Sequence, residues 1–200
     1  MEKKTTALLM AAAIAAAVRA EVVTADLVVY GSSPAAVSAA VKAMDMGLKP
    51  VVVSPEQHVG GLTVSGLGFT DSGNTASIGG LARQFYHRIY LAYQEPSAWR
   101  WERMEDFKAG GQGTKAIVHS EKTMWTFEPH VAERVFAAWL AEKGVPVRRG
   151  ECLDREEGVK KADGRIVSIT TLSGNTYCGR YYIDATYEGD LMAAAGVPYR

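Results

Sequence analysis

Apolar and polar positions in the first part of the chain predict one strand–helix–strand unit. Asp26–Tyr30 (DLVVY) is a short apolar run of the kind that forms a buried parallel strand. Gly31–Ser33 interrupts it, and Pro34 suits the first turn of a helix, where a missing N–H costs nothing. Apolar residues then recur at helical spacing up to Gly47, which is predicted to end the helix, and residues 50–54 (PVVVS) predict the next strand.

A glycine-rich tract follows this unit. Seven of the 21 residues from Gly60 to Gly80 are glycine, so the tract is either disordered or lies close against something that requires backbone approach. Interleaved apolar residues favour the second interpretation. Leu81–Tyr93 predicts a helix with one apolar stripe. Residues 95–126 carry three tryptophans and predict an excursion from the sheet, which is a candidate for contact with substrate.

The remaining pattern predicts a helix, a short strand, a hairpin and a further buried strand. Pro129 opens the helix, and the turn Ser173–Asn175 joins the arms of the hairpin. The ranges are a helix over 129–143, a strand over 145–148, hairpin arms over 166–172 and 176–180, and a strand over 181–186. Strands that alternate with helices and then meet a hairpin indicate an α/β fold with a central parallel sheet and a β-meander.

Residues 1–20 have the pattern of an export signal. Lys3 and Lys4 precede an uncharged, mostly apolar run of 14 residues, and small side chains permit cleavage after Ala20. A membrane anchor is the alternative, but the run is shorter than the roughly 20 residues that a spanning helix needs. We therefore expect an exported protein, periplasmic or secreted, with no stable membrane span after cleavage.

Charge composition and cysteine spacing give no indication of a nucleic-acid-binding protein or of a zinc protein. Lys plus Arg and Asp plus Glu both number 22, so the formal net charge is zero and nothing indicates a nucleic-acid partner. Cys152 and Cys178 are expected to be two separate buried thiols, although an exported protein could pair them in a disulfide. No cysteine or histidine spacing is typical of zinc, so no metal site is predicted.

The turn after the first strand is a degraded dinucleotide-binding motif. Gly31–Ala36 (GSSPAA) occupies the place of G-x-G-x-x-G/A, with Ser33 in place of the second glycine. At the end of the second strand, where an acidic residue commonly holds the adenosine ribose, the chain has Ser54, and Glu56 is a possible substitute. By itself this motif is equally consistent with an ordinary α/β loop.

Longer segments carry a more specific resemblance. From about Asp26 to its end, the chain resembles the FAD-dependent oxidoreductases of the glutathione-reductase-like superfamily, in particular an exported bacterial group. The matching segments are DLVVYGSSPAAVSAAVKA (26–43), VVVSPEQHVGGLTVSGLGFTDSGN (51–74), IGGLARQFYHRIY (78–90), MWTFEPHVAERVF (124–136) and YIDATYEGDLMAAAGV (182–197). Several long matches in the right order are more specific than the glycine motif alone.

The resemblance implies a Rossmann-like FAD-binding fold and a set of cofactor contacts. Gly31–Ala36 would bind the pyrophosphate. The double glycine, Gly60 and Gly61, would run along the pyrophosphate and ribityl chain, and the tract up to Asn74 would border the isoalloxazine. His58, beside the double glycine, could approach the cofactor. The candidate cofactor-binding residues are Gly31, Ser32, Ser33, Pro34, Ala35, Ala36, Ser54, Pro55, His58, Gly60, Gly61, Leu62, Thr63, Ala185, Thr186 and Asp190. No catalytic residue is assigned.

The predicted function is hydride transfer between FAD and a small organic substrate, for which a sugar-derived compound is one option. Two alternatives stay open: an NAD(P)-dependent dehydrogenase with the same opening unit, and a non-catalytic exported module that binds a nucleotide or a glycan. The resemblance also implies that such a fold continues beyond Arg200. We therefore expect the FAD-binding domain over 26–200 to be incomplete at its C-terminus, with an unburied apolar face over 191–197.

Overall fold

The computed structural model describes residues 20–107, 110–111 and 114–199, so the predicted export signal lies outside the described residues except for Ala20. The helices are α1 (Pro34–Asp45), α2 (Gly80–Ala92), α3 (Pro129–Glu142) and α4 (Asp190–Ala194). The strands are β1 (Val22–Tyr30), β2 (Pro50–Ser54), β3 (Gly110–Gly111), β4 (Thr114–Lys115), β5 (Ile117–Val118), β6 (Thr123–Met124), β7 (Val147–Arg149), β8 (Val159–Ala162), β9 (Arg165–Thr170) and β10 (Thr176–Asp184). Within these ranges no helix is both long enough and apolar enough to cross a bilayer.

One six-stranded sheet organises the described part of the chain, with the strand order β7-β2-β1-β10-β9-β8. Strands β7, β2, β1 and β10 run parallel, and β9 and β8 continue the sheet antiparallel. The predicted α/β fold with a central parallel sheet and a β-meander is therefore confirmed.

Strand β1 lies in the middle of the sheet and is buried on both faces. Val28 and Val29 point to opposite sides because successive side chains of a strand alternate, and both are fully buried. Val29 packs with residues of α1 and α3, whereas Val28 packs on the opposite face of the sheet with Leu153, Ile169 and other buried residues. This double burial explains why the strand has a continuous apolar run instead of an alternating one.

Helices α1, α2 and α3 begin and end close to the predicted positions. Pro34 and Pro129 occupy first-turn positions, and Gly47 follows α1 with a φ of 77°, the left-handed conformation expected after a helix. These boundaries depend on local backbone preferences, which the sequence displays directly.

The meander differs from its prediction in two respects. The hairpin arm over 176–180 and the strand over 181–186 are one strand, β10, which pairs with β9 at its start and with β1 along its length. Strand β10 has β9 on one edge at its start and β1 on its other edge, so the hydrophobic pattern changes along the strand although the backbone continues without a break. Strand β8 was not predicted, because an edge strand with mostly exposed side chains (VKKA) has no apolar alternation.

The glycine-rich tract is ordered and lies against the excursion. Phe127 N donates to Gly68 O at 2.8 Å, and Thr70 N donates to Trp125 O at 3.0 Å. The excursion itself contains two short antiparallel pairs, β3–β4 and β5–β6. Trp125 from its end is 1% exposed. The excursion therefore returns to the body of the domain and holds the tract in place.

A buried carboxylate connects the end of the parallel sheet to the β9–β10 turn. Glu151 is 8% exposed and accepts hydrogen bonds from Thr171 Oγ1 (2.5 Å), Ser173 Oγ (2.7 Å) and Asn175 Nδ2 (2.8 Å). Burial disfavours the charged form of Glu151, but these donors and the Tyr177 hydroxyl outweigh it and lower the pKa of the carboxyl. The turn is therefore held by an ionised side chain.

Two expectations about burial are wrong in part. The two cysteines are free and separate, as predicted, but Cys152 is exposed and Cys178 is only partly buried. The expectation of an unburied apolar face over 191–197 fails at Leu191, which is 2% exposed. Helix α4 folds back onto the sheet, and Leu191 packs in the same cluster as Val28 and Tyr30. Within 191–197, Leu191 and Ala195 are thus buried, whereas Ala193, Gly196 and Val197 are exposed.

Candidate functional site

A cleft of about 320 Å³ lies where the carboxyl ends of β1, β2 and β10 meet. In open parallel sheets, ligands bind outside these strand ends. The cleft is lined by Gly31, Ser32, Ser33, Pro55, Glu56, Cys152, Ala185, Thr186, Tyr187, Glu188 and Asp190.

Gly31 allows β1 and β10 to end in close contact. Gly31 N donates to Val53 O at 2.9 Å, and Ala185 N donates to Tyr30 O at 2.7 Å. The φ of Gly31 is +124°, and a Cβ on this residue would lie 2.4 Å from the carbonyl carbon of Ala185. Only glycine fits this turn, as the dinucleotide motif requires.

The N-terminus of α1 opens next to this turn. Ser33 is its N-cap, but the Ser33 side chain makes no capping hydrogen bond and instead donates to Ala185 O at 2.6 Å. In the first turn, Pro34 has no N–H and Ala36 N donates to Ser33 O at 2.9 Å, so the Ala35 N–H is the donor that points out of the helix end without a side-chain cap. Such a helix end favours an anionic group such as a pyrophosphate.

The double glycine packs against the same loop. Gly60 N donates to Ser32 O at 2.6 Å, and residues Gly61–Thr63 form one turn of 3₁₀ helix. Leu62 N donates to the Tyr187 hydroxyl at 3.0 Å. Gly61 has a φ of +53°, and a Cβ there would lie 2.3 Å from the Tyr187 hydroxyl oxygen. The backbone of the double glycine is thus held between the α1 loop and Tyr187.

The turn after β2 directs Glu56, not Ser54, into the cleft. Ser54 is fully buried, and its hydroxyl donates to Glu56 O at 2.7 Å and accepts from Glu56 N at 3.1 Å. This compact turn around Pro55 brings the Glu56 carboxylate to Ser32, whose hydroxyl donates to it. An acidic group therefore stands at the end of β2 two positions later than the motif places it.

The segment after β10 is held by a carboxylate from the strand end. Asp184 accepts hydrogen bonds from Thr186 N (2.9 Å), Thr186 Oγ1 (2.7 Å) and Met192 N (2.8 Å). Asp190 lies in the first turn of α4 and pairs with Arg155 at 3.0 Å. These contacts shape the wall of the cleft that lies beside Gly31.

Tyr30 supports the floor of the site. Its hydroxyl accepts a hydrogen bond from Leu153 N at 2.9 Å, which positions the neighbouring Cys152 on the cleft. Burial raises the pKa of Tyr30, so the phenol stays protonated at neutral pH.

The structure brings together many of the sequence-predicted residues, but not all of them. Gly31–Ser33, Pro55, Ala185, Thr186 and Asp190 line the cleft, and Gly60–Thr63 contact it through Ser32 and Tyr187. His58 is turned to α3, where Nδ1 lies 2.6 Å from Glu133 Oε1 and the side chain is 72% exposed. The cleft is not lined by Pro34–Ala36, Ser54 or His58, and whether these residues contact the cofactor stays a prediction.

Sequence reasoning did not assign Tyr187, Glu188 and Cys152 to the cleft. Tyr187 and Glu188 belong to YEGD (187–190), which is part of the family-like segment over 182–197 and is their signal in the sequence. Cys152 comes from a loop outside the matching segments. In the described ranges, no group of three or more His, Cys, Asp and Glu side chains is arranged to hold a metal ion.

A glycine turn, an uncapped helix N-terminus and an acidic group at the end of β2 define a dinucleotide-binding α/β protein. The family model "FAD dependent oxidoreductase" matches residues 26–200. The chain therefore belongs to the family of FAD-dependent oxidoreductases, and its cofactor is FAD. No curated protein matches the sequence.

Solved structures share the fold at low sequence identity. AlpK has a TM-score of 0.54 and 16% identity, over 87% of this chain and 34% of that chain. A geranylgeranyl bacteriochlorophyll reductase-like protein from Thermoplasma acidophilum has a TM-score of 0.53 and 19% identity, over 88% and 43%. L-amino acid deaminase from Proteus vulgaris has a TM-score of 0.53 and 16% identity, over 86% and 49%. The chain spans less than half the length of each of these proteins.

Proposed function

We propose that this protein is an exported flavoenzyme that transfers a hydride between a small organic substrate and FAD. The observation that carries the proposal is the cleft at the strand ends, in which Gly31, the α1 N-terminus and Glu56 converge. When bound, FAD supplies the two-electron chemistry, and the protein binds and orients it. We propose a small-molecule substrate, for which a sugar-derived compound is one option, and neither a nucleic-acid partner nor a membrane span in the mature chain.

The residues of the cleft fit the parts of FAD. The α1 N-terminus and Gly31 suit the pyrophosphate, since the helix end has no side-chain cap and a positive dipole end, and Gly31 places no side chain in the way. Glu56 suits the adenosine ribose because a carboxylate accepts hydrogen bonds from hydroxyl groups. Gly60–Thr63 would extend this contact along the ribityl chain, and Thr186 and Asp190 would complete the opposite wall.

The visible absorption spectrum of the purified protein tests this function most directly. Flavin bands that bleach when an electron donor is added anaerobically would support a flavoenzyme. A colourless protein that binds NAD(P) would favour the dehydrogenase alternative. A bound flavin that no donor reduces would favour the non-catalytic binding module.

Glu56→Gln is expected to weaken FAD binding about tenfold, which corresponds to about 1.4 kcal/mol. The substitution keeps the shape of the side chain but replaces a charged acceptor, whose hydrogen bonds to hydroxyls are the stronger kind. The measurement is titration of the apoprotein with FAD by fluorescence. Glu157→Gln, an exposed residue outside the cleft, is the matched control. Equal affinities of Glu56→Gln and the parent would contradict a role at the ribose.

Cleavage after Ala20 is expected to leave Glu21 as the first residue of the mature protein. Glu21 already belongs to the folded domain, since its N–H donates to Asn175 Oδ1 at 2.9 Å and its carboxylate pairs with Arg148 at 2.9 Å. A new α-amino group there could still donate to Asn175. N-terminal sequencing of secreted or periplasmic material checks the prediction, and an intact N-terminus in the cytoplasmic fraction would contradict it.

A further inference from the structure

A second cavity, of about 230 Å³, lies in the excursion over 95–126 and the segment that follows it. It shares no lining residue with the cleft at the strand ends. Its lining combines five aromatic side chains, a methionine and an alanine with three charged groups and a threonine. These residues are Tyr93, Trp99, Trp101, Phe107, Phe127, Met124, Arg100, Glu102, Glu128, Thr126 and Ala98.

The walls of this cavity are aromatic and mutually supported. Trp99 meets Tyr93 and Phe107 edge to face, with ring centroids 5.4 Å apart in both pairs. Trp99 Nε1 donates to Tyr93 O at 2.8 Å, so the indole is fixed in place. Phe127 is 7% exposed and Tyr93 is 4% exposed. The walls formed by Trp99, Tyr93 and Phe107 are therefore held by contacts within the protein.

The rim provides both donors and acceptors. Arg100 carries only donors, Glu102 and Glu128 carry only acceptors, and the Thr126 hydroxyl can do either. Tyr93 fixes Glu128, because the Tyr93 hydroxyl donates to Glu128 Oε2 at 3.0 Å and accepts from Glu128 N at 2.8 Å. Trp101 stands at the rim with its side chain 89% exposed. The Trp101 ring is therefore accessible to a ligand that stacks on it.

The cavity is connected to the glycine-rich tract. Thr126 lines the cavity and also forms a β-bridge with Phe69 of the tract, while the next residue, Phe127, is hydrogen-bonded to Gly68. The family resemblance implies that this tract would border the isoalloxazine. If it does, a ligand in the cavity would bind on a segment that is attached to the backbone beside the flavin.

We propose that this cavity binds one ring of a polyhydroxylated, sugar-like molecule. The apolar C–H face of the ring would stack on Trp101 or Trp99, and its hydroxyls would exchange hydrogen bonds with Arg100, Glu102 and Glu128. An anionic aromatic acid fits less well because two carboxylates repel it. A quaternary ammonium group is attracted by the carboxylates, but it has no acceptor for Arg100 and no donor for Glu102 and Glu128, whereas sugar hydroxyls provide both. The inference that a bound sugar is the substrate rests on the proposed function. The inference that the cavity binds a sugar does not.

Saturation-transfer NMR on the purified full protein tests the proposal with defined probes. Glucose, galactose and N-acetylglucosamine represent the sugar, and choline and benzoate represent the cation and the aromatic acid. We expect at least one of the three sugars to bind, and Trp101→Ala to raise its Kd about tenfold. Trp101 is so exposed that its removal is not expected to unfold the protein. Tyr181→Ala, which removes a 52% exposed ring on β10, is the matched control and should leave the Kd unchanged.

Each other outcome overturns the proposal. Binding of choline or benzoate without any sugar would assign the cavity to another ligand class, and no binding by any of the five probes would remove it as a site. A sugar whose Kd does not change in Trp101→Ala binds elsewhere. The flavin spectrum, recorded on the same samples, separates the two proposals: a protein without flavin that still binds sugar would contradict only the proposed function.

Discussion

Gly31→Val is expected to abolish FAD binding, and it is the largest effect on function that the structure predicts. A valine side chain would start 2.4 Å from the carbonyl carbon of Ala185 and 2.7 Å from Thr186 N, so the ends of β1 and β10 would have to separate. The φ of +124° adds backbone strain for a β-branched residue. Together these costs, about 3 kcal/mol or more, would lower the affinity for FAD by at least about a hundredfold. Fluorescence titration with FAD measures the loss.

Gly47→Val is the matched control for this substitution. Gly47 also has a positive φ, +77°, but a Cβ there meets no atom within 4 Å, and the residue lies at the opposite end of α1 from the cleft. Valine at this position should reduce stability through strain alone and leave FAD bound. If Gly31→Val retained flavin as well as the parent does, the pyrophosphate would not lie at this turn.

Glu151→Ala is expected to lower the free energy of unfolding by about 2–4 kcal/mol. The substitution removes the acceptor of three side-chain donors, Thr171, Ser173 and Asn175, at a site where Glu151 is 8% exposed. Thr171 is 2% exposed, so its hydroxyl would lose its closest acceptor where little water is available, and the β9–β10 turn would lose its attachment to the strand ends. Urea unfolding monitored by circular dichroism measures the change. Glu157→Ala, which removes an exposed carboxylate a few residues further on, should change the unfolding free energy by less than about 0.5 kcal/mol.

The stability that Glu151 contributes should also depend on pH. Its pKa is lower in the folded protein than in the unfolded chain, where a glutamate has a pKa of about 4.3. The contribution is therefore complete above the unfolded pKa and is lost as the pH falls through the folded pKa. Glu151→Gln removes this titration, so the stability difference between parent and variant should shrink on acidification from pH 7 to below pH 4. A difference that stays constant with pH would mean that Glu151 is not held ionised.

The two serines that depart from the dinucleotide motif, Ser33 and Ser54, each have a structural role in the folded protein. Ser33, in the place of the second glycine, directs its hydroxyl to Ala185 O and so closes the turn at the strand ends. Ser54, in the place of the acidic residue, is used inside the turn that brings Glu56 to the cleft. The motif alone suggests that Ser54→Glu would restore a ribose contact. Because Ser54 is fully buried, we expect that variant to be destabilised instead.

The elements that depend on local preferences were readable from the sequence. Proline at the first turn, glycine after the last turn and apolar residues at helical spacing predict α1 and α3 within one residue at each end. The buried run of β1 and the Ser173–Asn175 turn follow from the same kind of local signal, although β1 begins four residues earlier than predicted. The order of these elements was enough to indicate the fold class, and the long family-like segments indicated FAD.

Only the tertiary structure decided which side chains meet. Glu56, Tyr187 and Cys152 come from three separate segments, and the ends of the parallel sheet bring them to one cleft. The continuity of β10 depends on having β1 on one edge and β9 on the other, and the burial of Leu191 depends on α4 folding onto the sheet. Contacts between residues far apart in the chain leave no periodic trace in either segment. Local pattern therefore determined the elements of this protein, and long-range packing determined the geometry of its site.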